Sequence, residues 1–125
     1  PAFVKPQVGA TKITCPIVVL ADAFSVSMAE ITTMAIKALP NGHFVGERTW
    51  GAMGPLTSNQ TYHGGQFTTS FLIDEVYTSS LLFKYKDGKI YEGIGFPPDV
   101  EAKYNGEALQ NGEDTQLEAA LSLIN

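Results

Sequence analysis

The sequence lacks three features that would direct it to particular partners: a long apolar run, a second cysteine and a cluster of basic residues. Its longest aliphatic run, Ile17–Ala21, is far short of the roughly 20 residues that a membrane helix needs, so we expect no membrane span. The net charge of −5 and the absence of a Lys/Arg cluster argue against nucleic acid as a partner. Cys15 has no partner for an internal disulfide, and its place before an apolar strand predicts a buried, unreactive thiol.

A methionine start and a signal peptide are also absent, because the chain begins Pro-Ala-Phe-Val-Lys. We therefore expect residues 1–125 to be a piece of a longer protein, from which any targeting signal has been lost. The length fits one domain, and a hydrophobic fraction of 44% is ordinary for a globular protein. The residues themselves leave the cellular compartment undetermined.

The first third of the chain predicts a strand, a helix and a second strand. Residues 16–21 form a continuous β-branched and aliphatic run, which is typical of a strand buried on both faces. A helical spacing of apolar residues follows, and the helix should begin near Ser27 and end before the Pro-Asn-Gly turn at 40–42. Residues 43–48 then form a second strand, which completes a βαβ unit.

The rest of the chain predicts β-hairpins and a final helix, so the fold class is α/β. We expect strands at residues 66–74 and 79–85, and an Asp-Gly turn at 87–88 that returns the chain through 90–92. Residues 100–103 form a last short strand. Asp114 or Thr115 caps the closing helix, in which Thr115 and Glu118 have the capping-box spacing.

Ser27 stands where a buried strand passes into a helix, and this position favours acyl transfer. Backbone N–H groups at a helix start lack internal partners and lie at the positive end of the helix dipole. A tetrahedral intermediate on Ser27 would place its oxyanion near the N–H of Met28, which we therefore predict as an oxyanion-hole donor.

A structural interpretation of the same residues stays open. Ser27 and Glu30 have the S-x-x-E spacing of a capping box, which explains a serine at this position without catalysis. The segment also lacks the G-x-S-x-G motif of the α/β-hydrolases. In that case the chain is an α/β fragment in which Ser27 is only a helix cap.

Four segments, in order along the chain, resemble the C-terminal processing peptidases, also called tail-specific proteases. They are FSVSMAE at 24–30, VGERTWG at 45–51, YEGIGFPPD at 91–99 and DTQLEAAL at 114–121. The resemblance makes Ser27, rather than Ser25, the nucleophile of a serine endopeptidase that acts on polypeptides without a cofactor. It implies a crotonase/Clp-protease-like core of which residues 1–125 are the C-terminal part, with the upstream half and any PDZ domain outside the chain. The resemblance alone suggests a bacterial cell envelope or periplasmic location.

The sequence departs from the commonest branch of that family at the general base. Ala52 occupies the position of the lysine in the usual Ser-Lys dyad. Lys37 lies ten residues further along the helix, about 15 Å away, and cannot replace it. The pattern is closer to the tricorn-like branch, in which an upstream histidine is the base and a glutamate at the position of Glu92 supports it. Glu92 could equally be an ordinary carboxylate at the end of a hairpin.

The remaining candidate residues are assigned structural roles. Lys84, Lys86 and Lys89 flank a turn and should be solvated, and His43 begins a strand. His63 lies in a glycine-rich loop that could approach the site. Two scattered histidines form no expected metal site. We predict that five aromatic residues pack in the core and hairpins: Trp50, Phe67, Phe71, Tyr77 and Phe83.

Two functional hypotheses follow besides the structural one. The first is a serine peptidase half-domain with Ser27, Met28 and Glu92 in the roles above, inactive as this isolated chain. The second is a catalytically inactive peptide-binding module on the same scaffold, favoured by the missing lysine. A half-core should also expose apolar surface, so it could form a homo-oligomer or pair with the missing upstream half.

Overall fold

A computed structural model describes residues 8–54 and 82–124 of the chain. Strand β1 (Ile17–Ala21), helix α1 (Met28–Lys37) and strand β2 (Gly42–Gly46) follow one another as predicted. The two strands are parallel, with a register that runs from Ile17 opposite Gly42 to Ala21 opposite Gly46. The predicted βαβ unit is therefore confirmed, and its turn between β1 and α1 contains Ser27.

A third strand completes the sheet within the described residues. Strand β3 (Val100–Glu101) lies in the predicted segment and pairs in parallel with β2, which gives the order β1-β2-β3. Strand β2 is thus central, and its Phe44 and Val45 are fully buried. The register of β2 and β3 consists of two pairs, Val45 opposite Val100 and Gly46 opposite Glu101.

The segment before β3 is a compact turn rather than a long hairpin. Lys84 and Ile90 form one antiparallel bridge around the Asp-Gly turn, and Tyr85 N–H donates to Lys89 O over 2.9 Å. The return of the chain through 90–92 is confirmed, although it makes a bridge and no regular strand. The predicted strand at 66–74, and residues 79–81 of the next, lie outside the described residues.

The closing part of the chain contains one helix more than predicted. Helix α2 (Gly106–Gln110) begins after Asn105, whose side chain accepts from the N–H groups of Glu107 and Ala108. Helix α3 (Thr115–Leu121) begins as predicted, and Asp114 is its N-cap. Asp114 Oδ1 accepts hydrogen bonds from the N–H groups of Gln116 and Leu117.

The core is built around aromatic residues at the junction of α1, β2 and the segment 91–96. The rings of Phe44 and Phe96 stack at 6.1 Å between centroids. Tyr91 and Tyr85 pack edge-on against Phe96, at 5.0 and 4.8 Å. Phe83 packs against this cluster, as predicted. This packing fixes the 91–96 turn against the sheet.

Two predictions of burial are wrong. Cys15 is exposed, because it lies in the irregular segment before β1 and is held there through its carbonyl, which accepts from the side chain of Asn41. Trp50 is 62% exposed, because its backbone is bonded to Ser25 O and its side chain does not join the core cluster. Phe67, Phe71 and Tyr77 lie outside the described residues. In the described ranges, no helix is long and apolar enough to span a bilayer.

Candidate active site

The turn between β1 and α1 holds Ser27 in an unusual backbone conformation. Ser27 is the N-cap of α1, with φ 56° and ψ −120°. Across residues 8–54 and 82–124, it is the one non-glycine residue with positive φ. Such conformations cost on the order of 1–3 kcal/mol and persist where the surrounding structure enforces them. A strained strand-to-helix turn also carries the nucleophile of the α/β-hydrolases, but Ser25 and Ala29 here replace the glycines of their motif.

Met28 is the first residue of α1, and its amide is free among the described residues. The neighbouring amides are occupied, because Ala29 N–H donates to Val26 O and Ile31 N–H donates to Ser27 O, both over 3.1 Å. No acceptor for Met28 N–H lies in the part of the chain that the structure describes. A free amide at the positive end of a helix is a suitable donor for an oxyanion.

The hydroxyl groups of Ser25 and Ser27 have different surroundings. Ser25 Oγ donates to Asp22 Oδ1 over 3.0 Å and accepts from Asp22 N–H over 3.1 Å, so a local turn occupies it. Ser27 and Glu30 form the predicted capping box, in which the Ser27 side chain faces the N–H of Glu30. The Ser27 side chain forms no standard cap hydrogen bond, whereas Ser27 N–H donates to Glu30 Oε2 over 3.2 Å. Of the two, the hydroxyl of Ser27 is the less committed.

Ala52, at the position of the family lysine, lies directly beside the serine. Ser27 N–H donates to Ala52 O over 2.9 Å, so the two backbones are in contact. The side chain at this position is a methyl group, which cannot take a proton. The residue at position 52 is thus adjacent to Ser27, and here it has no titratable side chain.

The other lysines and the described histidine have structural or solvated positions. Lys37 Nζ forms an ion pair with Asp99 Oδ1 at 2.8 Å and donates to Pro97 O over 2.9 Å at the far end of α1. Lys84, Lys86 and Lys89 are exposed, as predicted. His43 lies on β2 opposite Val18. His63 lies outside the described residues.

Glu92 lies on the turn that the aromatic core fixes, and it binds the segment that follows Ala52. Its Oε2 accepts from the N–H groups of Met53 and Gly54, each over 2.9 Å. The turn is tied to the same segment by a hydrogen bond from Gly93 N–H to Gly51 O at 2.7 Å. In the segment 51–54, Ala52 therefore contacts Ser27, and Met53 and Gly54 contact Glu92. Within the described residues, no donor reaches Glu92 Oε1.

The sequence over residues 4–102 matches the pattern of peptidase family S41. This chain belongs to peptidase family S41. The resemblance to the C-terminal processing peptidases is thereby confirmed, and the α/β core is the fold that solved structures share with this chain.

Two curated relatives of this S41 chain are tricorn proteases. Tricorn protease homolog 1 of Streptomyces coelicolor is 35% identical over 108 residues, which cover 86% of this chain and 10% of the relative. The tricorn protease of Thermoplasma acidophilum is 26% identical over 109 residues, which cover 86% of this chain and 9% of the relative. The chain thus spans about a tenth of the length of these relatives.

A crystal structure from Parabacteroides merdae shows how far the fold extends. It has a TM-score of 0.78 with this S41 chain at 24% identity, and the match covers 99% of this chain and 36% of that one. At this identity the likeness supports the fold alone.

Sequence reasoning missed two buried polar residues of this S41 chain that connect the site. Glu30 was interpreted as half of a capping box, and Thr49 was quoted only as part of a motif. In the structure both are buried, and Thr49 Oγ1 donates to Glu30 Oε1 over 2.5 Å. Thr49 Oγ1 also accepts from Phe96 N–H over 2.8 Å, which links the helix to the turn that carries Glu92. Both residues lie in segments that resemble the family, Glu30 in 24–30 and Thr49 in 45–51, and this is what could have indicated them. Spacing along the chain does not indicate a contact between residues 19 positions apart.

Proposed function

We propose that this chain carries the nucleophile-bearing part of the catalytic domain of a serine endopeptidase, in which Ser27 forms the acyl-enzyme. Ser27 Oγ attacks the carbonyl carbon of a peptide bond of a polypeptide substrate. Met28 N–H donates to the oxyanion of the tetrahedral intermediate. The general base takes the hydroxyl proton of Ser27 and gives it to the amine as the C–N bond breaks. Water, deprotonated by the same base, then attacks the acyl group, and the proton returns to Ser27 Oγ as the acid product leaves.

One observation carries this proposal: Ser27 combines a positive φ with the amide of Met28 at a helix start, for which residues 8–54 and 82–124 provide no acceptor. A serine that served only as a cap would take an extended conformation and bond a helix amide through its hydroxyl. Ser27 does neither in the standard way. Strained turns of this kind occur at functional sites, and here the turn would place the hydroxyl beside an oxyanion donor.

The general base is proposed to be a histidine from outside this chain, supported by Glu92. Ala52 excludes the usual lysine, and Lys37 is engaged with Asp99. Glu92 Oε2 is held by two amides, so its orientation is set, and Oε1 can accept from an imidazole N–H. A fixed carboxylate of this kind selects the imidazole tautomer and stabilises its charged form. On this proposal, residues 1–125 alone do not hydrolyse peptides.

The experiment uses the longest natural protein that contains this chain, and a fluorophosphonate as a serine-directed electrophile. Mass spectrometry of the labelled protein should find the adduct on Ser27. Ser27→Ala should abolish both labelling and peptide hydrolysis. Ser25→Ala is the matched control, because it removes a hydroxyl two residues away that is bonded to Asp22, and it should retain labelling.

The results separate the proposal from its alternatives. Peptide hydrolysis with the label on another residue would exclude Ser27 as the nucleophile. Glu92→Gln should lower kcat by about 100-fold, the lower end of what a positioned acid–base group contributes. Unchanged kcat in Glu92→Gln would remove Glu92 from the mechanism while leaving Ser27 in place.

A catalytically inactive peptide-binding module is the second candidate, and Ala52 is the observation that favours it. It predicts that the longer protein binds polypeptides without turnover, that no fluorophosphonate adduct forms, and that Ser27→Ala leaves binding unchanged. The labelling experiment therefore distinguishes the two functions directly.

A further inference from the structure

Glu30 is a charged side chain with no exposed surface, placed in the first turn of α1. Burying a carboxylate is costly unless its oxygens are fully hydrogen-bonded. A helix cap needs only one bond from such a residue, back to the N-cap amide, and that bond forms at the surface in most helices. The complete burial of Glu30 therefore calls for a further explanation.

Four donors surround the Glu30 carboxylate, two on each oxygen. Oε1 accepts from Thr49 Oγ1 at 2.5 Å and from Gly51 N–H at 2.7 Å. Oε2 accepts from Ala52 N–H at 2.9 Å and from Ser27 N–H at 3.2 Å. One of these donors is the backbone of the proposed nucleophile, and the other three come from the segment 49–52.

The next two amides of that segment bind Glu92. Gly51 and Ala52 donate to Glu30, and Met53 and Gly54 donate to Glu92 Oε2. Two carboxylates thus hold four consecutive N–H groups, one carboxylate from the helix of the nucleophile and one from the turn of the proposed orienting residue. The segment 51–54 acts as a rigid spacer between them.

We infer that Glu30 is a positioning residue for peptide hydrolysis, which fixes Ser27 relative to Glu92. This inference rests on the proposed function. Glu30 contacts no reacting atom; it acts by restraining the strained backbone of Ser27 and by holding the segment that binds Glu92. A displacement of about 1 Å between reacting groups can lower a rate by about 100-fold, so restraint at this position has a large kinetic effect.

The decisive variant is Glu30→Gln in the same longer protein. Its side chain has the same shape, but an NH₂ group then replaces one oxygen and faces two N–H donors that need an acceptor. We expect kcat for peptide hydrolysis and the rate of fluorophosphonate labelling at Ser27 to fall together by about 100-fold. KM should change by less than about threefold, because Glu30 has no exposed surface with which a substrate could make contact.

A second variant keeps the inference testable if Glu30→Gln does not fold. Thr49→Val removes one of the four donors, together with the acceptor of Phe96 N–H, and leaves the carboxylate in place. We expect kcat and labelling to decrease by about tenfold, as for the loss of one hydrogen bond to a charged group. Glu107→Gln is the matched control, because Glu107 is an exposed carboxylate in the first turn of α2. All rates are compared at a temperature at which circular dichroism shows each variant to be folded.

The outcomes distinguish this inference from the proposed function. If the folded Glu30→Gln and Thr49→Val proteins label Ser27 at the wild-type rate, Glu30 only stabilises the fold and the inference is overturned. If the wild-type protein forms no adduct at Ser27, the proposed function fails and the inference fails with it. A loss of labelling in proportion to the unfolded fraction would also show a purely structural role.

Discussion

Ser27 has a backbone conformation that is unfavourable for a residue with a Cβ atom. A non-glycine residue with φ 56° is unfavourable, yet the backbone on both sides is restrained: Ser27 N–H is bonded to Ala52 O and Glu30, and Trp50 N–H to Ser25 O. The surrounding contacts therefore enforce the conformation, and the side chain adds little to it.

The strain at Ser27 can be measured by comparing two variants that both lack the hydroxyl. Ser27→Gly should unfold at a higher free energy than Ser27→Ala, by about 1 kcal/mol. Glycine removes a strain of roughly 1–3 kcal/mol but adds about 0.5–1 kcal/mol of entropy to the unfolded chain. Urea unfolding of the full chain, followed by circular dichroism, gives the difference.

The alanine variant is itself the control, because it separates loss of the hydroxyl from relief of the backbone. A more stable alanine variant would contradict the presence of strain at this position.

At the residue scale, the sequence predicted which residues belong to the candidate site better than it predicted which side chains are buried. The motif around Ser27 and the place of Ala52 could be identified because they follow a linear pattern. Cys15 and Trp50 were wrongly predicted to be buried, because burial depends on segments that are distant in the chain. Glu30 was predicted as a cap, and its three bonds to residues 49–52 could not be predicted from a spacing of three residues.

At the scale of elements, the segment 49–54 and the turn 91–96 approach one another more closely than side chains permit. Gly51 has φ 93°, and a Cβ atom built on it would lie 2.6 Å from Gly95 N and 2.9 Å from Ile94 N. Both obstacles are backbone atoms, which cannot move without disturbing the turn. The distance between the two loops, and so the place of Glu92, depends on this glycine.

Gly51→Ala should therefore destabilise the protein by about 3 kcal/mol, through both the positive φ and the steric clash. Gly112→Ala is the matched control: its φ of 86° is similar, but nothing lies within 4 Å of the added Cβ. It should cost about 1 kcal/mol. Unfolding free energies of both variants give the comparison.

The difference between the two glycine variants isolates the close approach of the loops from the conformational penalty that they share. Equal losses of stability would mean that the two loops can separate without cost.

The order of the elements could be predicted from hydrophobic period and turn residues alone. Strand β1, helix α1, strand β2 and the closing helix α3 each follow a clear pattern. Helix α2 was missed because it is five residues long with no buried residue, so it leaves no apolar stripe. Within residues 82–92 the hairpin makes a single bridge where a longer pairing was predicted, because turn signals fix where a chain reverses and do not fix how many residues pair.

At the scale of the whole molecule, Asp99 joins the helix, the central strand and the turn before β3. Asp99 Oδ1 pairs with Lys37, and Oδ2 accepts from Phe44 N–H over 2.9 Å. Burial raises the pKa of Asp99, but the hydrogen bonds from Lys37 and from the Phe44 amide outweigh it and lower the pKa below its ordinary value. The ionised form is thus favoured by folding.

A lowered pKa in the folded state implies stability that is present above the unfolded value, near 3.8, and lost as the pH falls through the folded value. We expect wild type to lose more unfolding free energy than Asp99→Asn between pH 5 and pH 2.5, by about 1 kcal/mol. That figure is small because the Asp99 side chain is 37% exposed and solvent screens the pair.

Urea unfolding at several pH values measures this difference, since asparagine does not titrate. The control Glu107→Gln should follow wild type throughout the range. Parallel curves for wild type and Asp99→Asn would mean that the ion pair with Lys37 contributes nothing to folding.

The backbone angles at the helix start also limit which residues can replace Ser27. A threonine has a branched Cβ, which is a severe outlier at positive φ, so a secondary alcohol cannot take the place of Ser27 without remodelling the turn. Cysteine is unbranched and fits the same angles. On the proposed function, cysteine is therefore a closer replacement for Ser27 at this turn than threonine.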